Sequence, residues 1–275
     1  MSARWTLDDI PWERFDATRV TPDLVAVVKT ASLVEANSGD YVTYLENVFA
    51  DDPAFRDAAR QWGEEEAQHG AALARWAELA DPDFSFERSL AEFRRGYRLP
   101  LEATTSVRGS RAGELIARCV VETGTSSFYS AIRDAAAEPV LRVICKHIAT
   151  DEFFHYQLFE KHLKRYEAEG KLSRLARLKI ALGRVQEAED DELAYAYYSA
   201  NVAFAKNPPS YDNKRYATMY WRQAMGLYQE RHIENATRMI LRAARMNANG
   251  MLAATAAKVS WKLLQWRQGR LANAA

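Results

Sequence analysis

The chain is poor in the features that fix small extracellular folds or membrane folds. Its 275 residues include two cysteines, Cys119 and Cys145, too few for a disulfide framework or a four-cysteine zinc site and in keeping with a reducing compartment. Both read as buried thiols. No apolar run approaches the ~18 residues of a membrane span, and the opening MSARWTLDDIPWERF has no signal-peptide core. The expectation is a cytoplasmic protein without a membrane span. Only 12 glycines and 8 prolines exclude collagen-like and low-complexity chains. Net charge is also missing: 37 basic side chains balance 37 acidic ones, and no nucleic-acid partner is expected. Alternation of apolar and polar residues is nowhere sustained, which removes sheets from consideration.

What is present is helical periodicity, with apolar residues three and four apart, so the fold class is all-α. Thr21-Pro22, Asp52-Pro53 and Glu138-Pro139 each place a polar residue before a proline suited to a first helical turn. The spacing predicts long helices at about 22–49, 53–80, 110–136 and 139–169, the last ending at Gly170, with a short helix in the crossover between the second and third. Further helices are predicted at about 173–205, 213–226, 228–247 and 250–271. The whole, 1–275, reads as one domain: a four-helix core over about 22–169 covered by C-terminal helices over about 171–272. Charge is uneven along it. Residues 171–275 carry 17 Lys and Arg against 8 Asp and Glu, and residues 1–170 carry 20 against 29, so the carboxy-terminal part suits either solvent or an acidic partner.

An internal repeat carries the chemistry. Glu66-Ala67-Gln68-His69 and Glu152-Phe153-Phe154-His155 are both ExxH, each 13 residues after a helix-starting proline. Residues three apart share a helix face, so each pair presents a carboxylate and an imidazole to one point. In an antiparallel hairpin, residues equally far from the turn lie level. Glu35, 18 residues before Pro53, and Glu122, 17 residues before Pro139, are then the partners. Four buried carboxylates repel one another unless cations intervene. Four Glu and two His match the di-iron or di-manganese carboxylate set of helical bundles, and so oxygen-rich a donor set favours iron first and manganese second over zinc. Glu46 and Glu64 lie off the level or off the face and read as surface residues. The poor helix formers of Glu122–Ser127, and Ser38-Gly39 after Glu35, suggest helices that loosen, with π-bulges, beside the ligands.

These residues resemble the ferritin-like di-iron carboxylate oxidases and oxygenases, most of all the soluble acyl carrier protein desaturases, over about residues 22–169. Glu65-Glu66-Ala67-Gln68-His69-Gly70 is similar to that family's EExxHG, and Asp151-Glu152-Phe153-Phe154-His155 to its DExxH. The resemblance implies Glu35, Glu66, His69, Glu122, Glu152 and His155 as ligands of two Fe ions. It further implies Asp151 and Glu65 as carboxylates orienting the histidines, and Thr125 beside the oxygen-binding face. Against rubrerythrin-type peroxidases, Thr125 stands where a further glutamate is expected, and no CxxC is present. Against aryl-amine N-oxygenases, Ile148 stands where a histidine is expected, and the adjacent His147 reads as a surface or supporting residue. Aldehyde-deformylating oxygenases share the spacing, including Tyr129.

The implied activity is an oxygen-activating oxidoreductase that takes electrons from an external donor or reductase and oxidises an apolar substrate, foremost an acyl chain. The resemblance implies a substrate delivered as a thioester on an acidic carrier protein that meets the basic carboxy-terminal half, and a homodimer. Aldehyde deformylation, amine N-oxygenation and non-enzymatic iron handling are the alternatives. Tyr41, Tyr44, Phe128, Tyr129 and Phe153 are candidates for an apolar channel or core, and Trp62 for core packing or electron relay.

Overall fold

The computed structural model describes residues 4–166, 172–187 and 191–273, and these form an all-helical structure. Its helices are α1 (Pro22–Glu35), α2 (Ser38–Val48), α3 (Pro53–Ala80), α4 (Phe86–Gly96), α5 (Arg111–Ala135), α6 (Pro139–Tyr166), α7 (Arg174–Gln186), α8 (Asp191–Asn201), α9 (Asn213–Met225), α10 (Glu230–Ala243) and α11 (Met251–Asn273). Three short 3-10 turns precede them, between Leu7 and Arg19. The predicted helix end at Gly170 lies outside the described residues.

The starts follow from capping chemistry. Pro22 and Pro53 occupy the first turns of α1 and α3, where the missing N–H costs nothing. The Asp52 carboxylate accepts from Phe55 N at 3.1 Å, and Ser110 Oγ accepts from Gly113 N at 3.0 Å. Glu138, fully buried, accepts from the backbone N–H groups of Val140 at 3.1 Å and Leu141 at 2.7 Å, and from Trp76 Nε1 at 2.7 Å.

Two antiparallel pairs make the centre of the molecule. The first sets α1 and α2 against α3, and the second sets α5 against α6. Direction follows from the registers: Ser38 Oγ bonds Gly63 O while Ala36 packs on Gly70, and Cys119 faces Tyr156 while Ser126 faces Ala149. Packing of α3 on α6 joins the pairs, and α4 lies within the crossover. The later helices cover the bundle, α8 on α1 and α7 and α10 on α5.

The expected helix over 22–49 is instead two helices, broken at Ala36-Asn37. The break is built in by close packing: a Cβ on Gly70 would stand 2.7 Å from Ala36 N, so only glycine admits this approach. Arg94 Nη2 donates to the carbonyl of Ala36 at 2.8 Å, satisfying an oxygen that the break releases. The predicted helix over 173–205 is likewise two, α7 and α8. No π-bulge occurs in α5, which runs as regular α-helix through Glu122–Ser127; Thr123 Oγ1 bonds the carbonyl of Cys119 at 2.7 Å, back-bonding that poor helix formers tolerate.

The apolar interior is divided in two. One cluster contains Leu33, Leu73, Trp76, Ile132 and Ile144, and the other contains Leu45, Phe55, Trp62, Leu115 and Phe159. Along every central helix the residues between these clusters are the carboxylates and histidines described next.

Candidate metal centre

Each central helix delivers its donors to one level. Glu35 is the last residue of α1, Glu66 and His69 share a face of α3, Glu122 comes from α5, and Glu152 and His155 share a face of α6. All six are buried, His69 and Glu152 completely. They form two overlapping groups. One donor atom each from Glu35, Glu66, His69 and Glu152 lies within 4.8 Å of the others, and the same holds for Glu66, Glu122, Glu152 and His155. Glu66 and Glu152 belong to both groups. Glu35 with His69, and Glu122 with His155, belong to one each.

Both imidazoles turn Nδ1 toward the carboxylates. His69 Nδ1 stands 3.3 Å from Glu152, 3.5 Å from Glu66 and 3.8 Å from Glu35, and His155 Nδ1 stands 3.1 Å from Glu66 and 3.6 Å from Glu122. The opposite nitrogens are held by further carboxylates, His69 Nε2 to Asp151 at 3.0 Å and His155 Nε2 to Glu65 at 2.8 Å. The pairing is crossed, for Asp151 precedes the motif on α6 yet orients the histidine of α3, and Glu65 on α3 orients that of α6.

Buried polar atoms without a hydrogen bond test whether this cluster fits cations. His69 Nδ1, His155 Nδ1, both oxygens of Glu122 and one oxygen of Glu152 have none, although buried polar atoms are nearly always satisfied. These five belong to the donor set, while further unpartnered buried atoms, among them Ser199 Oγ and Tyr216 Oη, lie outside it. Converging oxygen donors with one imidazole in each group could hold metal.

The charges tell the same story. Burial, with Glu66 alongside, pushes Glu35 well above the usual carboxylate range, and burial raises Glu122 likewise. Both histidines are held well above the ordinary imidazole value, because the surrounding carboxylates outweigh a burial that favours the neutral ring. Asp151 is brought down to about 2 against its own burial, chiefly by His69 and Arg4.

Thr125 stands at the edge of this layer. Its hydroxyl lies 2.6 Å from Glu152 Oε2, closer than the 3.2 Å to the carbonyls of Val121 and Glu122, so its single proton goes to the shared glutamate. Tyr129 donates to Glu35. Beyond them opens a mostly apolar cavity of about 320 Å³, lined among others by Val34, Val121, Phe128, Tyr220, Trp221 and Ile240. A smaller space of about 70 Å³ reaches Glu66, Glu122 and Glu152. Glu35, Val121 and Thr125 line both.

Among the channel candidates, Phe128 and Tyr129 line the large cavity and Tyr41 the small one. Tyr44 and Phe153 line neither. Tyr44 is core and donates to Glu114 at 2.9 Å, while Phe153 is exposed on the far side of α6 because it follows Glu152 by one residue. Trp62 packs edge-on to His155 and Phe159. His147 stacks on Trp5 and stays outside the cluster. Glu46 pairs with Arg60 and Glu64 is exposed, as their placement in the sequence suggests.

Two residues of the site carry no signal in the sequence. Arg4 bridges Asp151 at 2.6 Å and Glu65 at 2.8 Å, and Trp5 Nε1 donates to Asp151 at 2.7 Å. They lie in a short aperiodic stretch before the first turn, where neither spacing nor capping marks a role.

No protein-family model matches this chain, and no curated protein matches it significantly.

Proposed function

We propose that the chain is a ferritin-like di-metal carboxylate oxidoreductase that activates dioxygen to oxidise an apolar substrate, foremost an acyl chain. The observation that carries this reading is the pair of overlapping donor groups sharing Glu66 and Glu152 and adjoining an apolar cavity. Glu66 and Glu152 would hold both ions, Glu35 and His69 one of them, and Glu122 and His155 the other. The chemistry supplied at such a centre is reductive activation of dioxygen with electrons from an external donor.

The chain's own residues shape the rest. Asp151 and Glu65 fix the ring orientation through Nε2, and with the proton held there Nδ1 would be the atom that binds an ion. Thr125 holds a proton against Glu152 Oε2 on the cavity side, where it can be passed toward a reacting group. The apolar walls exclude water and favour a hydrocarbon over a charged substrate.

The testing experiment is a single turnover. Protein loaded anaerobically with ferrous iron and reduced is mixed with oxygen and a series of acyl thioesters, and products are read by mass spectrometry. A desaturated or hydroxylated acyl product that disappears in Glu66→Ala is expected. Unchanged thioesters with a fully loaded centre would remove the acyl substrate and leave the metal reading standing.

A further inference from the structure

The last helix has a largely apolar face that no other helix among the described residues covers. In α11, Met251 is 87% exposed, Leu252 81%, Leu263 59% and Trp266 60%, with Val259 also exposed. At 100° per residue, Leu252, Val259, Leu263 and Trp266 fall within about 60° of one another, a strip roughly 20 Å long. Lys258 and Lys262 flank the strip on one side, Arg267 lies on the other with its guanidinium over the Trp221 ring at 5.6 Å, and Arg270 stacks over Trp266 at 4.9 Å. No acidic residue follows Glu234 in the sequence. The inward face of α11 behaves differently: Ala253 and Ala257 are buried against the neighbouring helices, and Leu264 lines the large cavity. Val185 of α7, which is exposed, lines the same cavity.

We propose that the outer face of α11 docks on an anionic lipid surface, lying in the interface plane with its apolar strip among the acyl chains. An exposed apolar strip beside lysines can sit among acyl chains, while the positive charge of the helix complements anionic headgroups. A second copy of this chain fits less well, because two such faces would oppose like charges. An acidic protein fits less well too, since lysine is depleted at protein interfaces. The docking does not rest on the proposed substrate class.

The test is flotation of the metal-loaded, full-length protein with vesicles of phosphatidylglycerol and phosphatidylcholine, or of phosphatidylcholine alone. Binding to the anionic vesicles, weakened by salt, is expected. Leu263→Glu/Trp266→Glu should reduce it by more than about tenfold, and Lys258→Gln/Lys262→Gln should reduce both the binding and its salt dependence. Circular dichroism melts and metal content should match wild type in both variants, as the altered side chains face outward. Absence of binding to either vesicle, equal binding by the variants, or a concentration-dependent dimer that Leu263→Glu/Trp266→Glu disperses would each overturn the proposal. None of these results bears on metal content, so the reading of the centre is judged separately.

Discussion

Asp151 on α6 bonds Nε2 of His69 on α3 at 3.0 Å, reaching across the bundle instead of serving the histidine of its own motif. Glu65 returns the arrangement to His155. Each ExxH motif therefore depends on the other helix for the orientation of its imidazole. Arg4 ties the two orienting carboxylates together from the surface. Asp151→Asn should weaken the ion beside Glu35 and His69, and Glu65→Gln the ion beside Glu122 and His155, each by about 10- to 100-fold in affinity. Stepwise metal titration followed by Mössbauer or manganese resonance spectra of the two sites checks this. Equal loss from both sites in both variants would contradict the crossed pairing.

Sharing of Glu66 and Glu152 between the donor groups has its own signature. Metal analysis after anaerobic ferrous loading should find about two ions per wild-type chain on the structural count of donor groups. Glu66→Ala and Glu152→Ala should lose both ions, while Glu35→Ala and Glu122→Ala should each retain about one. Both imidazoles are held above their ordinary value by the surrounding carboxylates, so loading should release acid and tighten as pH rises through and beyond the ordinary imidazole range. A wild-type content below one ion, unchanged by Glu66→Ala, would remove the centre.

How much of this was legible in the sequence depended on what kind of signal each part leaves. Glu35, Glu66, His69, Glu122, Glu152 and His155 could be found because helical spacing and distance from a proline-marked turn are properties of the chain itself. The break after Glu35 could not, since it follows from Gly70 pressing on Ala36 across a helix interface. The π-bulge expectation failed because Thr123 satisfies its hydroxyl on the Cys119 carbonyl, while Ser126 and Ser127 donate to the carbonyls of Ala149 and His232 outside α5, and the helix's own hydrogen bonding stays regular. Arg4 and Trp5 act only through partners some 60 to 150 residues away, which leaves no local pattern. The exposed strip of α11 is written in its period, but whether a partner helix covers it is decided by the fold.

Stability rests in part on a buried carboxylate remote from the centre. Glu138 accepts from Trp76 Nε1, from Val140 N and Leu141 N at the start of α6, and from Asp16 N at 3.2 Å. Removing it leaves several buried donors unsatisfied at once, so Glu138→Ala should cost about 2–4 kcal/mol. Denaturant unfolding measures the loss. The folded variant should still bind metal, because Glu138 lies more than three helical turns from Glu152 along α6. A change below about 0.5 kcal/mol would show that water replaces the carboxylate.

Asp134 gives a prediction in pH. It accepts from Arg133 Nε at 2.8 Å, His232 Nε2 at 2.9 Å and Arg231 Nη2 at 2.7 Å, joining α5 to α10. Arg133 first, with His232 and Arg231, holds its carboxyl well below the ordinary aspartate range despite partial burial. A value depressed in the folded state means that the unfolded chain binds the proton more readily. The stabilisation is thus complete above the ordinary aspartate value of ~3.9 and is lost as pH falls through the lower folded-state value. In thermal melts, Asp134→Asn should lie below wild type at pH 7, and the gap should close on acidification past pH 4. A gap independent of pH would assign the effect to packing.

The cavity makes the last prediction. Ala236 of α10 lines it while remaining partly exposed, so a larger side chain there can enter the space without rebuilding the core. A phenyl ring would occupy a substantial share of about 320 Å³, and Ala236→Phe should weaken binding of a medium-chain acyl thioester by about tenfold or more, equivalent to about 1.4 kcal/mol. Ala236→Ser, which adds little volume, should bind nearly as wild type. Metal content should be equal in all three proteins, because Ala236 belongs to neither donor group. Calorimetric titration with the thioester decides the matter: if Ala236→Phe binds as tightly as wild type, the acyl chain lies elsewhere, and the space beside Thr125 and Tyr129 is not where the substrate meets the centre.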